Sequence, residues 1–97
     1  MNNMRAIHPG EILKDEIAYL ELSANKFAGK LNVPTNRITA ILNGQRAITA
    51  DTAFRLAIFF DTTAEFWLHL QSDYDLKLIK QQFGKKILKE VQQQDAA

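Results

Sequence analysis

The spacing of the apolar residues is the feature that most restricts how this chain can fold. They recur every three or four positions along most of the 97 residues, and no useful length alternates apolar and polar residues as a half-buried strand does. Glycine and proline are scarce, with four and two copies, so few positions interrupt this spacing. The pattern therefore predicts an all-helical chain.

Caps and breakers divide the pattern into five predicted helices. Pro9 suits the first turn of a helix that extends to about Leu22, because no helical hydrogen bond is lost at a proline there. A third helix ends near Leu42, and Gly44 suits the left-handed position that follows such an end. The second helix is predicted to begin after an N-cap at Ser23, the third at about Thr35 and the fourth after an N-cap at Thr49. The fifth is predicted to begin with a capping box formed by Thr62 and Glu65.

Residues 24–43 carry the pattern of a helix-turn-helix. The first helix of such a unit needs a small residue where the second crosses it, which Ala28 provides. Four residues later the chain must reverse, and Asn32 tolerates the left-handed backbone that this turn often uses. The predicted inner wall consists of Phe27, Leu31, Val33, Ile38 and Ile41. Because several independent positions agree, the hairpin is predicted more specifically than any one residue would allow.

The outer face of the second hairpin helix has the composition of a DNA-reading surface. Its side chains are short and polar, small, or arginine, and no Asp or Glu occurs between Leu22 and Ala50. Short side chains can approach base edges in the major groove, and residues just past the helix can bind phosphates. The residues predicted to contact DNA are Thr35, Asn36, Arg37, Thr39, Ala40, Asn43, Gln45 and Arg46.

The fourth helix carries more apolar residues than the core of one small domain can cover. Surplus apolar surface of this kind favours an isologous dimer, which would place two recognition helices about 34 Å apart on successive major grooves. The residues predicted to form this dimer interface are Phe54, Ile58 and Phe59 of the fourth helix and Phe66, Trp67, Leu70 and Tyr74 of the fifth.

The sequence contains no recognisable constellation for catalysis, metal binding or cofactor binding. It has no cysteine, and its two histidines, His8 and His69, lack metal-ligand spacing. No apolar run approaches the roughly 20 residues needed to cross a bilayer, so we expect a cytoplasmic protein without a membrane partner. We expect one domain with a core of about 8–76, a helical extension of about 77–91 and a frayed tail over 92–97.

Two motifs resemble those of a known family. The sequence HPGEIL at residues 8–13 and the sequence FWLHLQSDYDL at residues 66–76 are similar to those of HigA/VapI-type antidotes of toxin–antitoxin modules. These antidotes belong to the phage-repressor-like (XRE/Cro/CI) helix-turn-helix superfamily. The resemblance implies a five-helix, lambda-repressor-like domain that does no catalysis.

The resemblance also implies a function and two partners. As a homodimer, the protein would bind a palindromic operator upstream of its own genes and repress them. It would also neutralise a small ribosome-dependent, mRNA-cleaving toxin. Two alternatives stay open: a phage- or plasmid-type repressor without a toxin, and a protein-interaction module that no longer binds DNA.

Overall fold

The computed structural model describes residues 5–95, which form five α-helices. The helices are α1 (Pro9–Tyr19), α2 (Ala24–Leu31), α3 (Thr35–Leu42), α4 (Ala50–Phe60) and α5 (Ala64–Glu90). No strand occurs within residues 5–95, so the prediction of an all-helical fold is confirmed. Among these residues, no helix combines the length and the apolar character needed to cross a membrane.

The core lies where α1 to α4 meet the first half of α5. The side chains without exposed surface come from α1 to α4, and Trp67 of α5, 2% exposed, packs beside them. They are Leu13, Phe27, Ile38, Ile41, Ala53 and Leu56. Four of the five residues predicted for the inner wall of the hairpin are buried, and the fifth, Val33, is half-buried and packed against the core.

The turn between α2 and α3 has the predicted geometry. Asn32 adopts the left-handed conformation, with φ 57° and ψ 50°. The N–H of Val33 then donates to the carbonyl of Ala28 at 3.0 Å, which closes the end of α2. At the start of α2, the hydroxyl of Ser23 accepts the N–H of Lys26 at 3.1 Å, so the predicted N-cap is also confirmed.

The end of α1 differs from the prediction. The helix stops at Tyr19, three residues before the expected Leu22, because Glu21 takes a left-handed conformation with φ 56°. This turn lets the N–H of Leu22 donate to the carbonyl of Ile17 at 2.9 Å. Leu22 is thereby folded back onto the core, a contact that accompanies such helix ends.

The predicted capping box of α5 is wrong by one residue. Asp61 adopts a left-handed conformation, with φ 55°, and this turn makes Thr63 the N-cap. The hydroxyl of Thr63 accepts the N–H of Phe66 at 3.1 Å, while the hydroxyl of Thr62 accepts the indole N–H of Trp67 at 3.0 Å. Thr49 does occupy the N-cap position of α4, although its side chain makes no capping hydrogen bond.

The last helix extends well beyond the core. α5 has 27 residues, so it is about 40 Å long, and it elongates the molecule to 53 × 27 × 22 Å. The predicted C-terminal extension is therefore the second half of α5 and not a separate helix. Residues 92–95 are not helical, and the last two residues of the predicted frayed tail, 96 and 97, lie outside the described residues.

Candidate nucleic-acid interface

The eight residues predicted to bind DNA all lie on α3 or in the loop that follows it. Ile38 and Ile41 have no exposed surface and fix the inner side of α3 to the core. The predicted residues occupy the remaining sides of the helix and its C-terminal end. Four of them are exposed (Asn36, Asn43, Gln45 and Arg46) and four are half-buried (Thr35, Arg37, Thr39 and Ala40).

Both ends of α3 are suited to contact a phosphate backbone. Pro34 precedes the helix, and no side chain among residues 5–95 caps it. Free N–H groups at a helix start bind anions well. At the other end Gly44 has φ 73°, and the N–H of Gln45 donates to the carbonyl of Ala40 at 2.8 Å. This turn confirms the role predicted for Gly44 and presents Gln45 and Arg46 beside the end of the helix.

Two of the predicted DNA-binding residues connect helices in the free protein. The hydroxyl of Thr35 donates to the side-chain oxygen of Asn25 at 2.8 Å, which joins α3 to α2. The guanidinium of Arg37 lies 2.7 Å from the carboxylate of Asp51, which joins α3 to the first turn of α4. Only 23% of the Arg37 side chain is exposed. The expectation that Arg37 simply points outward is therefore corrected.

Asp51 is the centre of a small charged cluster that also holds Arg55. The Arg55 side chain lies 2.8 Å from the same carboxylate oxygen and donates a second hydrogen bond to the carbonyl of Leu31 at 3.0 Å. Hydrogen bonds from Arg55 and Arg37 hold the pKa of Asp51 below its usual value. The cluster therefore connects α2, α3 and α4.

His8 supports the loop after α3, a role that sequence reasoning missed. The ring is buried, and its Nδ1 accepts the N–H of Gly10 at 2.8 Å, so the side chain caps α1. The ring is also hydrogen-bonded to the backbone of Arg46 and lies edge-on to Tyr74, with ring centres 4.9 Å apart. Burial lowers the pKa of His8, against smaller opposing effects of the Arg46 hydrogen bond and the charge of Asp75.

Gly10 allows α1 to approach the end of α3 closely. A Cβ atom at this position would overlap the carbonyl oxygen of Ile41, the residue that fixes the inner side of α3. The motif at residues 8–13 thus has a physical explanation. Its histidine caps α1 and holds the loop after α3, and its glycine removes the atom that would push the two helices apart.

Comparison with known proteins identifies the family. A helix-turn-helix family model matches residues 20–67. Virulence-associated protein I of Dichelobacter nodosus is 49% identical over 81 residues, which span 82% of this chain and 75% of that protein. The solved structure of a HigA-family addiction-module antidote from Coxiella burnetii is 61% identical with a TM-score of 0.90, and the match covers 94% of this chain and all (100%) of that one.

The chain belongs to the HigA/VapI-type antitoxin family. A further relative is the antitoxin HigA of Pseudomonas aeruginosa, whose structure with the higBA promoter is known. It is 43% identical, the match covers 91% of this chain and 97% of that one, and the TM-score is 0.86. The family consists of helix-turn-helix regulators and not of enzymes.

The residues predicted to form the dimer interface of this antitoxin divide into three groups. Phe54, Ile58 and Phe66 are 63%, 69% and 46% exposed. Phe59, Leu70 and Tyr74 are half-buried. Trp67 is 2% exposed and packs inside its own chain, so its assignment to a free surface is corrected.

A second apolar surface follows the outer half of α5. We call it the α5 stripe: Leu76, Ile79, Phe83 and Ile87, which are 54%, 42%, 46% and 39% exposed. Their spacing of three or four residues places them on one side of the helix. The sequence shows this periodicity, but it does not reveal that the core ends before these residues.

Proposed function

We propose that this antitoxin represses its own operon by binding a palindromic operator as a homodimer. The observation that carries the proposal is the arrangement of α3, whose inner side is fixed in the core while its other sides bear no acidic residue. The structure of the P. aeruginosa relative with the higBA promoter supports promoter DNA as the partner.

Within this proposal, α3 lies in the major groove and its residues have separate tasks. Asn36 is exposed near the start of the helix and can form a bidentate contact with adenine. Thr39 and Ala40 are small enough to approach a thymine methyl group. Gln45 and Arg46 bind phosphates and fix the register of the helix on the duplex.

The basic residues of α2 add to the attraction for phosphate. Lys26 and Lys30 are exposed on the helix before the turn, and within residues 5–95 neither of them forms an ion pair. Because most of the affinity for DNA comes from phosphate contacts and released counterions, binding falls steeply as salt rises.

The dimer forms, in this proposal, through the exposed apolar residues of α4 and of the outer half of α5, and Phe66 at the start of α5 is not part of the interface. Phe54 and Ile58 lie one turn apart on α4, and the α5 stripe continues along the outer half of the last helix. An isolated helix of this kind gains little stability in water without packing against a neighbour. A second copy supplies that neighbour and pairs the two recognition helices for a two-fold symmetric operator.

The antitoxin also neutralises a small mRNA-cleaving toxin encoded beside it. Membership of the HigA/VapI-type family supports this part of the proposal. The test is co-purification of the two gene products from the native operon, followed by a mobility-shift assay on the upstream promoter. Both a stable complex and a specific shift are expected. A specific shift without a bound partner would leave a repressor that has no toxin.

A further inference from the structure

A groove on the antitoxin lies between α1 and the corner where α4 meets α5. It has a volume of about 240 Å³ and is lined by Ile12, Glu16, Phe60, Thr62, Phe66 and Trp67. No residue of α2, α3 or the loop after α3 contributes to its lining. The groove is therefore built from residues that the proposed DNA interface does not use.

The floor of the groove is aromatic and held in place. Phe66 and Phe60 pack against Trp67, with ring centres 5.2 Å and 5.6 Å apart. Trp67 itself is fixed by the hydrogen bond from its indole N–H to Thr62. Phe66 nevertheless leaves 46% of its surface exposed, so an incoming apolar side chain can bury a large ring here.

The rim of the groove is acidic. Glu16 is the carboxylate that lines it from α1, and the exposed Asp61 and Glu65 are the neighbours in the chain of the lining residues Thr62 and Phe66. Within residues 5–95 none of these three carboxylates has an ion-pair partner. The lysine of α1, Lys14, lines a different cavity beside His8. The rim therefore has the opposite charge to the basic, acid-free stretch that contains α3.

We propose that this groove docks the toxin, which inserts an apolar side chain flanked by Lys or Arg. The inference rests on the proposed function, since it names the surface by which the antitoxin holds its partner. An enzyme that cleaves mRNA must bind a polyanion and so carries a cationic surface, and an acidic rim is complementary to that surface. The rim steers association, and burial of Phe66 slows dissociation.

The same features argue against the other possible occupants of the groove. In an isologous dimer formed through this groove, two acidic rims would face each other and repel. An anionic membrane or a nucleic acid would be repelled in the same way. A cationic protein is the occupant that both the floor and the rim favour.

The test measures binding of the full-length antitoxin to a catalytically inactive variant of the toxin, at low and moderate salt. Glu16→Lys with Glu65→Lys reverses the charge of the rim, and Phe66→Ala removes the exposed ring. Glu90→Lys with Asp95→Lys is the matched control, because it also reverses two exposed carboxylates, and Glu90 lies about 36 Å along α5 from Phe66. Each groove variant is expected to weaken toxin binding by about tenfold or more, and the control by less than about twofold.

Operator binding and sedimentation separate the alternatives. The groove variants are expected to remain dimeric and to bind the operator at least as tightly as the native protein. If both groove variants bind toxin like the native protein, the groove is not the docking site, and the proposed function stands. If Phe66→Ala instead produces monomers, the groove is a self-association surface and the inference is overturned. If the native antitoxin binds no product of the adjacent gene, the toxin-neutralising part of the proposed function fails, and this inference fails with it.

Discussion

Arg37 and Asp51, 14 residues apart in the chain, form an ion pair with an N–O distance of 2.7 Å. Through this pair, a side chain on the recognition helix also holds α4 in place. Replacement of Arg37 is therefore expected to change both the affinity for DNA and the stability of the fold. Asn36 is the adjacent residue and is exposed, so the two effects can be separated by comparing neighbouring positions.

Replacing Asn36 with Ala is expected to weaken specific operator binding by about 1–3 kcal/mol while leaving the melting temperature unchanged. Replacing Arg37 with Ala is expected to weaken binding by a similar amount and also to lower the melting temperature, because Asp51 loses one of its two partners. Fluorescence anisotropy and thermal melts check both expectations. Equal melting temperatures for the two variants would show that the ion pair does not stabilise the fold.

Gly10 provides a test of the contact between α1 and α3. Gly10→Ala is expected to lower the free energy of unfolding by about 2–4 kcal/mol, because the new Cβ overlaps the carbonyl oxygen of Ile41. Gly29→Ala is the control. No atom lies within 4 Å of a Cβ at that exposed helical position, so the change is expected to stabilise the protein by about 0.5–1 kcal/mol. Urea denaturation measures both, and a neutral effect at Gly10 would contradict the close approach.

His8 is expected to make stability depend on pH. Burial lowers its pKa in the folded protein, so below about pH 6.5 the unfolded chain takes up a proton that the folded chain does not. The contribution of His8 to stability is thus fully present above that pH and declines as the pH falls towards the lowered pKa. Protonation of Nδ1 would also remove the acceptor for the N–H of Gly10.

Melting temperatures between pH 7.5 and pH 5.5 check this expectation. The native protein is expected to lose stability across that interval. A His8→Asn variant, which has no ionisable group at this position, is expected to begin less stable and to lose less. If the melting temperatures of the native protein and the variant fall in parallel with pH, His8 is not the cause of the pH dependence.

The dimer is expected to depend on exposed apolar residues of α4 and α5. Ile58→Asp and Phe83→Asp each place a charge on a surface that the proposed dimer buries, so each is expected to yield monomers at micromolar concentration. Gln82→Asp introduces the same charge at the exposed position next to Phe83 and is expected to remain dimeric. Sedimentation equilibrium distinguishes these states. A native protein that is monomeric at this concentration would contradict the proposed dimer.

The parts of the fold that could be predicted from the sequence are those fixed by neighbouring residues. Ser23, Asn32 and Gly44 each act within four or five positions of themselves, and the structure confirms all three. Local sequence signals did not predict the N-cap of α5 correctly, because a left-handed turn precedes it. The turn at Asp61 moved the N-cap of α5 from Thr62 to Thr63.

The parts of the site that could not be predicted depend on packing between distant segments. From the sequence alone Arg37 is predicted to face outward, because the sequence does not show that α4 places Asp51 beside it. Likewise, His8 is isolated in the sequence. The packing of α1 beside the end of α3 places its ring next to the backbone of Arg46. A single sequence shows periodicity and caps, but it does not show which segments meet.

We propose that α3 reads DNA, and the most direct test is to measure the affinity of the protein for the promoter and for a scrambled duplex at several salt concentrations. The native protein is expected to prefer the promoter by at least about a thousandfold and to lose affinity steeply with salt. Arg46→Ala is expected to weaken binding to both duplexes and to reduce by about one the slope of the logarithm of the binding constant against the logarithm of the salt concentration. Asn36→Ala is expected to reduce the preference for the promoter and to leave this slope unchanged. Equal affinity of the native protein for the two duplexes, or an unchanged preference for the promoter in Asn36→Ala, would contradict the proposed role of α3.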